Sequence, residues 1–482
     1  MLEDIIAERR KKLERIREAG INPYPARAKR SFSIGAALER FEEFEKKGEP
    51  VSLVGRVRAL RDQGKIMFAD LEDGAGKIQA VFRGEELKDI DFWRGVIDLG
   101  DFVSVTGPLF MTQRGERSIA AHEVEMASKS LSPLPDRWEG LEDVETRLRE
   151  RYLDLIMHPE VKDLFVKKAI FWTSVREFLE EEGFLEVETS VLEPLAGGAE
   201  AEPFVTHHNA LDTDFFLRIS LELQLKKLVT GGFEKVFEIG RVFRNEGIDR
   251  EHLQDFTFME CYWAYHNCGD MMKLMERMFK FVIEKTAGSL QTSSFGHHID
   301  WGKPWKEVDY VQAFKHENGL DPIAASRGDL HEKAVSLGLK PEDGAQKGRL
   351  IDLIYKKTVR PKLIEPCFLV GHPIAVSPLS KSSPENPEIA ERFQIVACGS
   401  ELGNGYSELN DPIDQRRRFE DQMRLREKGD KEAMRLDEDF LRALEYGMPP
   451  TAGFGMSERT FAVLMDKPVR ETVFFPLMRP KQ

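Results

Sequence analysis

The sequence predicts an α+β protein, with a small all-β barrel near the N-terminus and a large antiparallel sheet flanked by helices after it. Three observations carry that prediction. Five β-rich runs, VSLVGRVRAL, KIMFADLED, GKIQAVFR, DFVSVTGPLFM and RSIAAHEVEMAS, follow one another between about residues 51 and 128, separated by glycine turns. Beyond residue 141, strand-like runs alternate irregularly with helical stretches and lack the regular crossover helices of a parallel sheet. The chain's 482 residues include 32 Phe and 6 Trp, enough for two to four domains and a large core.

Taken in order, Leu2, Ile5, Ile6, Leu13 and Ile16 recur at helical spacing over residues 2–19, Gly20 supplies a stop, and Pro23 and Pro25 prevent continuation. Residues 9–30 hold nine basic side chains against Glu14 and Glu18, a local charge of +7. Such a basic face is ordinarily solvated, and phosphate contact is the functional alternative. The leader is assigned to residues 1–48 and the barrel to 49–131. Five short strands fit an OB-fold, a pattern shared with other small barrels. SPLPDRW, with two prolines and no periodicity, marks a linker within 132–145, and residues 146–482 form the second domain. There, LFVKKAIFWTSVREFLEEEG is an amphipathic helix ended by Gly183, MMKLMERMFKFVIEK a second helix, and EKVFEIGRVFR, DFTFMECYWAY, CFLVGHPIAV and RFQIVACGSEL are strands. No internal repeat is found.

Lys and Arg number 70 against 84 Asp and Glu, a net charge of −14. Residues 1–130 sum to zero, so the whole of that charge lies in residues 131–482. The whole-chain value therefore does not exclude a nucleic-acid partner for the N-terminal part. No apolar run reaches the ~18 residues of a membrane span, and MLEDIIAERRKK places charges where a signal peptide is apolar, so a cytoplasmic location is expected. The four cysteines, Cys261, Cys268, Cys367 and Cys398, form no CxxC pair, which favours reduced thiols over a disulfide framework or structural zinc.

The densest polar group in a β context is FEIGRVFRNEGIDREHLQDFTFMECYWAY, residues 237–265. Strand alternation places Arg244 and Glu246 on one parity, and Phe256, Glu260 and Tyr262 on one parity of the next strand. A hairpin of the two would gather a guanidinium, two carboxylates, a flat ring and a phenol. That set could hold a nucleotide, and it equally describes a salt-bridged, solvated sheet face. No GxGxxG or GxxxxGK[ST] is present to cradle phosphates otherwise.

FRNEG followed by EHLQDFTFME resembles motif 2 of the class II aminoacyl-tRNA synthetases. GGAEAEPFVTHHNALDTDFFLRIS, DEDFLRALEYGMPPTAG, GLEDVETRLRERYLDLI and the closing FFPLMRP are similar to segments of the lysyl branch, and the resemblance runs from about residue 50 to the C-terminus. It implies an OB-fold anticodon-binding barrel joined to the class II catalytic sheet. The implied activity is an ATP-dependent ligase that forms lysyl-adenylate and passes lysine to tRNA(Lys), working as a homodimer through motif 1 with Mg²⁺.

By position, the resemblance implies that Arg244 contacts the α-phosphate, that Glu246 and His252 lie along ATP, and that Phe256 stacks on adenine. Arg459 of GFGMSER matches the motif 3 arginine. Glu401 and Glu408 match the magnesium carboxylates, and their spacing of seven calls for a turn or bulge at Asn404-Gly405 to bring them to one face. Lysine would be held by Glu260 and Tyr262 with Asp414 as a second acid, by Glu222 and Gly198 at its α-amino group, and by Asn410 at its carboxylate. In the barrel, Phe68 would stack on an anticodon base, with Gln79 and Arg56 beside it; the alternative for Phe68 is a place in the barrel core. Two departures stand out: Ser190 replaces the motif 1 proline, and the motif 3 glycine alternation is one residue short. A related aspartyl or asparaginyl enzyme is the alternative within the class, and a non-catalytic RNA-binding paralogue the alternative outside it.

Overall fold

The computed structural model describes residues 2–135, 142–247, 252–342, 344–427 and 433–480. The chain divides into two compact units, residues 1–142 and 143–482. Part of the expected linker, 136–141, and positions 248–251 of the GIDREHLQ loop lie outside the described residues.

In the first unit, helix α1 (Leu2–Glu18) turns Leu13 and Ile16 inward. Ile16, Ile34, Phe41 and Phe44 from the leader share one core with Leu53, Val57, Met67, Leu71 and Val103 of the barrel. The leader is therefore part of the barrel's core. Arg9 is buried and donates to the carbonyls of Ser132 and Leu99, both at 3.0 Å. Lys12 pairs with Asp98 at 2.7 Å. These two basic side chains dock the helix, Arg15 donates to Gly95 O at 3.4 Å from the surface, and Arg10, Lys11 and Arg17 are exposed.

The five expected runs become seven strands: β1 (Val51–Asp62), β2 (Ile66–Glu72), β3 (Lys77–Arg83), β4 (Phe102–Gly107), β5 (Leu109–Met111), β6 (Arg117–Ala120) and β7 (Glu123–Ser128). The last two runs each break in the middle, DFVSVTGPLFM at Pro108, which has no N–H to give a ladder, and RSIAAHEVEMAS at Ala121-His122. The sheet order is β5-β6-β3-β2-β1-β4-β7. The twelve-residue β1 pairs with both β2 and β4, with a bulge between Val57 and Ala59 that lets it bend between them. A short helix, Ile90–Val96, which the sequence pattern did not mark, places Trp93 and Val96 in the core.

The second unit is built on an eight-stranded sheet. Its order is Lys306–Asp309, Cys367–Val370, Arg392–Ala397, Ser400–Ser407, Thr451–Ser457, Asp255–Ala264, Lys235–Phe243 and Leu185–Glu186. The six central strands are antiparallel, as expected, and only the two edge pairings are parallel. Helices Pro159–Glu181 and Cys268–Ala287 cover one face, packing Phe171, Val175, Met271, Met275 and Phe279 on Met259, Cys261 and Phe454. The second of these helices starts at a reciprocal Asn267/Asp270 cap and ends at Gly288 in the left-handed region. Period-two alternation along the strands then leaves the opposite face for other chemistry. No disulfide forms; Cys261 and Cys367 are buried and Cys268 and Cys398 half-buried. Among the described residues no helix is long and apolar enough to cross a membrane.

Candidate active site

The opposite face, on part of which helices Glu222–Thr230 and Glu438–Glu445 pack against Val236, Val242 and Tyr262, carries a cavity of about 320 Å³. Of the expected site residues, Gly198, Glu222, Arg244, Glu246, His252, Phe256, Glu260, Tyr262, Glu401, Glu408 and Arg459 line it. The hairpin forms as the alternation requires: Lys235–Phe243 pairs with Asp255–Ala264, Val242 opposite Phe256 and Glu238 opposite Glu260. The first strand stops at Phe243, so Arg244 and Glu246 sit just beyond it. Arg244 N–H bonds to Gln254 O at 2.8 Å, its side-chain Nε donates to Ile219 O, and its guanidinium lies 5.3 and 5.8 Å from the ring centres of Phe256 and Phe258. Phe258 has the parity of Phe256 and was missed only because it stood between residues with assigned roles.

Glu260 is 3% exposed. Its Oε1 accepts from the Ser220 hydroxyl at 2.6 Å and Leu221 N–H at 3.0 Å, and its Oε2 from Tyr262 O–H at 2.7 Å. Burial, followed by the neighbouring charge of Glu222, pushes its pKa up to about 7. Tyr262 therefore has a satisfied hydroxyl and points into the cavity. Glu222 opens helix Glu222–Thr230 and accepts from Tyr406 O–H at 2.6 Å and from Lys226 Nζ at 2.5 Å. Lys226 is wholly buried and also pairs with Glu408. Its position four residues after Glu222 was the available sequence signal for this ion pair.

Gly198 has φ +83°, and a Cβ there would lie 3.1 Å from the Cβ atoms of both Glu222 and Ser220. On the strand Thr451–Ser457, Gly453 serves a similar purpose: a Cβ would come within 1.9 Å of Glu408 Oε1 and 2.6 Å of the Tyr262 ring. The glycine alternation is thus a floor over which the acidic and aromatic side chains lie.

Glu401 and Glu408 do reach one face, but not by the expected turn at Asn404-Gly405, which continues as regular strand. The extra residue is Leu402: Ile395 pairs with Gly403 and Val396 with Glu401, leaving Leu402 unopposed. One bulged residue converts the odd spacing to common parity, so Glu401, Asn404, Tyr406 and Glu408 all line the cavity while Leu402 enters the core. Glu408 is 1% exposed, and its Oε1 has no hydrogen-bond partner among the described residues. Among the described residues no three His, Cys, Asp or Glu side chains form a complete metal site. Two carboxylates are the usual protein share of a magnesium site that phosphates complete, so this donor set fits that ion.

Two expected residues are elsewhere. Asp414, on helix Pro412–Glu427, pairs with Arg418 at 2.7 Å and with Arg417 at 2.5 Å, and does not line the cavity. Arg418 in turn donates to Ser380 O at 2.7 Å, within the loop that forms one cavity wall. Asn410 likewise lies outside, accepting from Lys381 at 2.9 Å and donating to Met448 O at 3.1 Å. Arg392, which lines the cavity and donates to Asn404 at 2.7 Å and to Ser377, had no sequence signal. Ser190 bonds its hydroxyl to Leu192 O at 2.9 Å.

In the barrel, Arg56 is opposite Glu72, and Asp70 is opposite Gln79. Alternation along β2 puts Phe68, Asp70 and Glu72 on one face, so Arg56, Phe68 and Gln79 share the side away from Met67, Ala69 and Leu71. Phe68 is half-buried and outside the core. Arg56 stacks 4.3 Å from the Phe102 ring centre, and Gln79 accepts from Ser118 at 3.2 Å.

Residues 143–479 match the family described as tRNA synthetases class II (D, K and N), and residues 51–127 the OB-fold nucleic acid binding domain. The chain belongs to the class II tRNA synthetases. It is 46% identical to a lysine–tRNA ligase of Moorella thermoacetica, over 99% of this chain and 98% of that one. A lysine–tRNA ligase of a Roseiflexus species is 45% identical over 100% and 99%, and one of Dehalococcoides mccartyi 42% over 99% and 97%.

Proposed function

We propose that this chain activates L-lysine with ATP, releasing pyrophosphate, and transfers the lysyl group to the 3′-terminal adenosine of tRNA(Lys). The observation that carries this reading is the set of three buried carboxylates, Glu222, Glu260 and Glu408, in one cavity with the Arg244–Phe256 pair. Lys226 pairs with Glu222 and Glu408, and a substrate with two ammonium groups supplies the further positive charge that three buried carboxylates need in order to be ionised together. Gly198 and Glu222 receive the α-ammonium, and Glu260 and Tyr262 the ε-ammonium. A cavity so lined rejects an aspartate or asparagine side chain, which brings no cation to it.

Joining a carboxylate to the α-phosphate brings two anions together. Arg244 offsets that repulsion and orients the α-phosphate, while Phe256 carries the adenine and Glu246, His252 and Arg459 border the nucleotide. Glu401 and Glu408 Oε1 would hold magnesium, which neutralises phosphate charge. The substrate carboxylate oxygen bonds to the α-phosphorus as the bond to pyrophosphate breaks; a ribose hydroxyl of tRNA then attacks the mixed anhydride and AMP leaves. Phe68, with Gln79 and Arg56, offers an unstacked anticodon base an aromatic platform. The exposed Leu185, Val191 and Leu192 in the motif 1 segment favour a homodimer in which a second copy covers them. The site of action is the cytoplasm.

The test is amino-acid-dependent exchange of pyrophosphate into ATP across all twenty amino acids. L-Lysine should drive it best. Exchange driven best by aspartate or asparagine would assign the chain to the neighbouring branch, and none with any amino acid would make it a non-catalytic RNA binder.

A further inference from the structure

A second cavity of about 390 Å³ adjoins the first and shares Arg459 and Val469 with it. Its charged lining is cationic: Arg360, Arg459 and Lys467 border it together with His297, Cys398 and Ser400, and among the described residues no carboxylate lines it. This is unusual in a unit that holds most of the chain's net charge of −14.

The four groups come from separate elements. His297 begins the strand His297–Asp300, Arg360 opens a short 3-10 turn, Arg459 opens the helix Arg459–Leu464, and Lys467 follows that helix. The turn Cys398-Gly399 anchors one of them, the segment of Arg360: Cys398 N–H bonds to Ile364 O and Gly399 N–H to Leu363 O, both at 2.9 Å. Gly399 has φ +69°, and a Cβ there would lie 3.2 Å from Pro361 Cα, so this turn fixes the segment carrying Arg360 beside the sheet. Lys467 is exposed and has no ion pair among the described residues.

A low-dielectric wall lined by one sign of charge concentrates the opposite ion. The first cavity, on the reading above that it forms an aminoacyl-adenylate, produces such an ion next to Arg459. We infer that the second cavity receives the released pyrophosphate, with Lys467, His297 and Arg360 taking over from Arg459 the oxyanions that Arg459 borders in the first. The cavity is a binding site for inorganic pyrophosphate, beside the active site across Arg459 and Val469.

The experiment compares the unaltered chain with Lys467→Met and Lys467→Met/His297→Gln in lysine-dependent ATP–pyrophosphate exchange, varying pyrophosphate, ATP and lysine in turn. Both positions are exposed, so folding should survive, and a thermal melt checks it. Losing a charge-assisted contact should raise the Michaelis constant for pyrophosphate about tenfold in the double variant, with those for ATP and lysine within about twofold. Lys467→Arg should restore the pyrophosphate constant. An unchanged pyrophosphate constant sinks the inference, as does a parallel rise in all three constants, which would mean Arg459 had been displaced. A rise only in the Michaelis constant for tRNA would assign the cavity to RNA and also overturn it. If the unaltered chain exchanges with no amino acid, the adenylate reading falls and takes this inference with it; exchange that persists with an unchanged pyrophosphate constant removes this inference alone.

Discussion

Glu260 combines two demands that oppose each other. Burial and the charge of Glu222 raise its pKa to about 7, which favours the protonated acid in the unliganded cavity near neutrality. An ε-ammonium beside it favours the carboxylate and lowers that pKa. Lysine binding between the raised and lowered values must therefore expel a proton, and affinity must fall as pH drops below about 7, because the cation then competes with a proton. Calorimetry near pH 7 in buffers of different ionisation enthalpy should give heats that differ by a released fraction of a proton, and that fraction should shrink as the pH is raised toward about 8. Glu260→Gln should lose both the proton release and, by on the order of 10²-fold or more, lysine-dependent exchange. Much of this site was legible residue by residue, since parity alone grouped Phe256, Glu260 and Tyr262. Asp414 shows where that stops: the sequence shows an acid near the pocket segments, but its direction is set by Arg417 and Arg418 on its own helix.

At the scale of the element, a strand's face is readable only while its register is regular. The spacing of Glu401 and Glu408 announced that register breaks somewhere, and Asn404-Gly405 was the obvious place on turn chemistry. The bulge falls on Leu402 instead, because Gly403 and Gly405 are needed within the strand: a Cβ at Gly403 would meet the Phe454 ring at 2.3 Å, and one at Gly405 the Phe393 ring at 2.7 Å. Packing across the sheet, invisible in local sequence, chose the site. On the barrel, parity did settle a question that composition left open, since a phenylalanine in a strand is more often core. β2 turns Met67, Ala69 and Leu71 inward, and Phe68 away from them. Phe68→Ala should thus cost about 1 kcal/mol or less in a denaturation midpoint measurement, against about 3 to 5 for a core phenylalanine. It should lower kcat/KM for tRNA by about 10- to 100-fold, as loss of one base–aromatic stack implies, and leave ATP–pyrophosphate exchange unchanged. A large stability loss with exchange abolished would return Phe68 to the core.

Over the whole molecule, a net charge of −14 averages a neutral stretch, residues 1–130, with an acidic remainder. The order of the two domains was readable from texture, but the role of the basic leader was not, because a lysine or arginine looks the same in sequence whether it docks a helix or faces water. Arg9 and Lys12 are docked on the barrel, whereas Arg10, Lys11 and Arg17 remain at the surface of α1. Surface pairs such as Lys11 with Glu8 and Arg17 with Glu14 hold little energy and would yield to a phosphate. If tRNA meets this unit through its backbone, each neutralised phosphate releases a counterion, and log affinity falls linearly with log salt at a slope of about −0.7 to −0.9 per contact. Affinity for tRNA should therefore drop steeply between 50 and 200 mM salt, by roughly 10²-fold for four contacts, while the lysine and ATP Michaelis constants in exchange change far less. Arg10→Gln/Lys11→Gln should flatten the tRNA slope by about one to two units with exchange unaffected. A slope identical to that of the unaltered chain would mean that the leader's cations are solvated and serve only the fold.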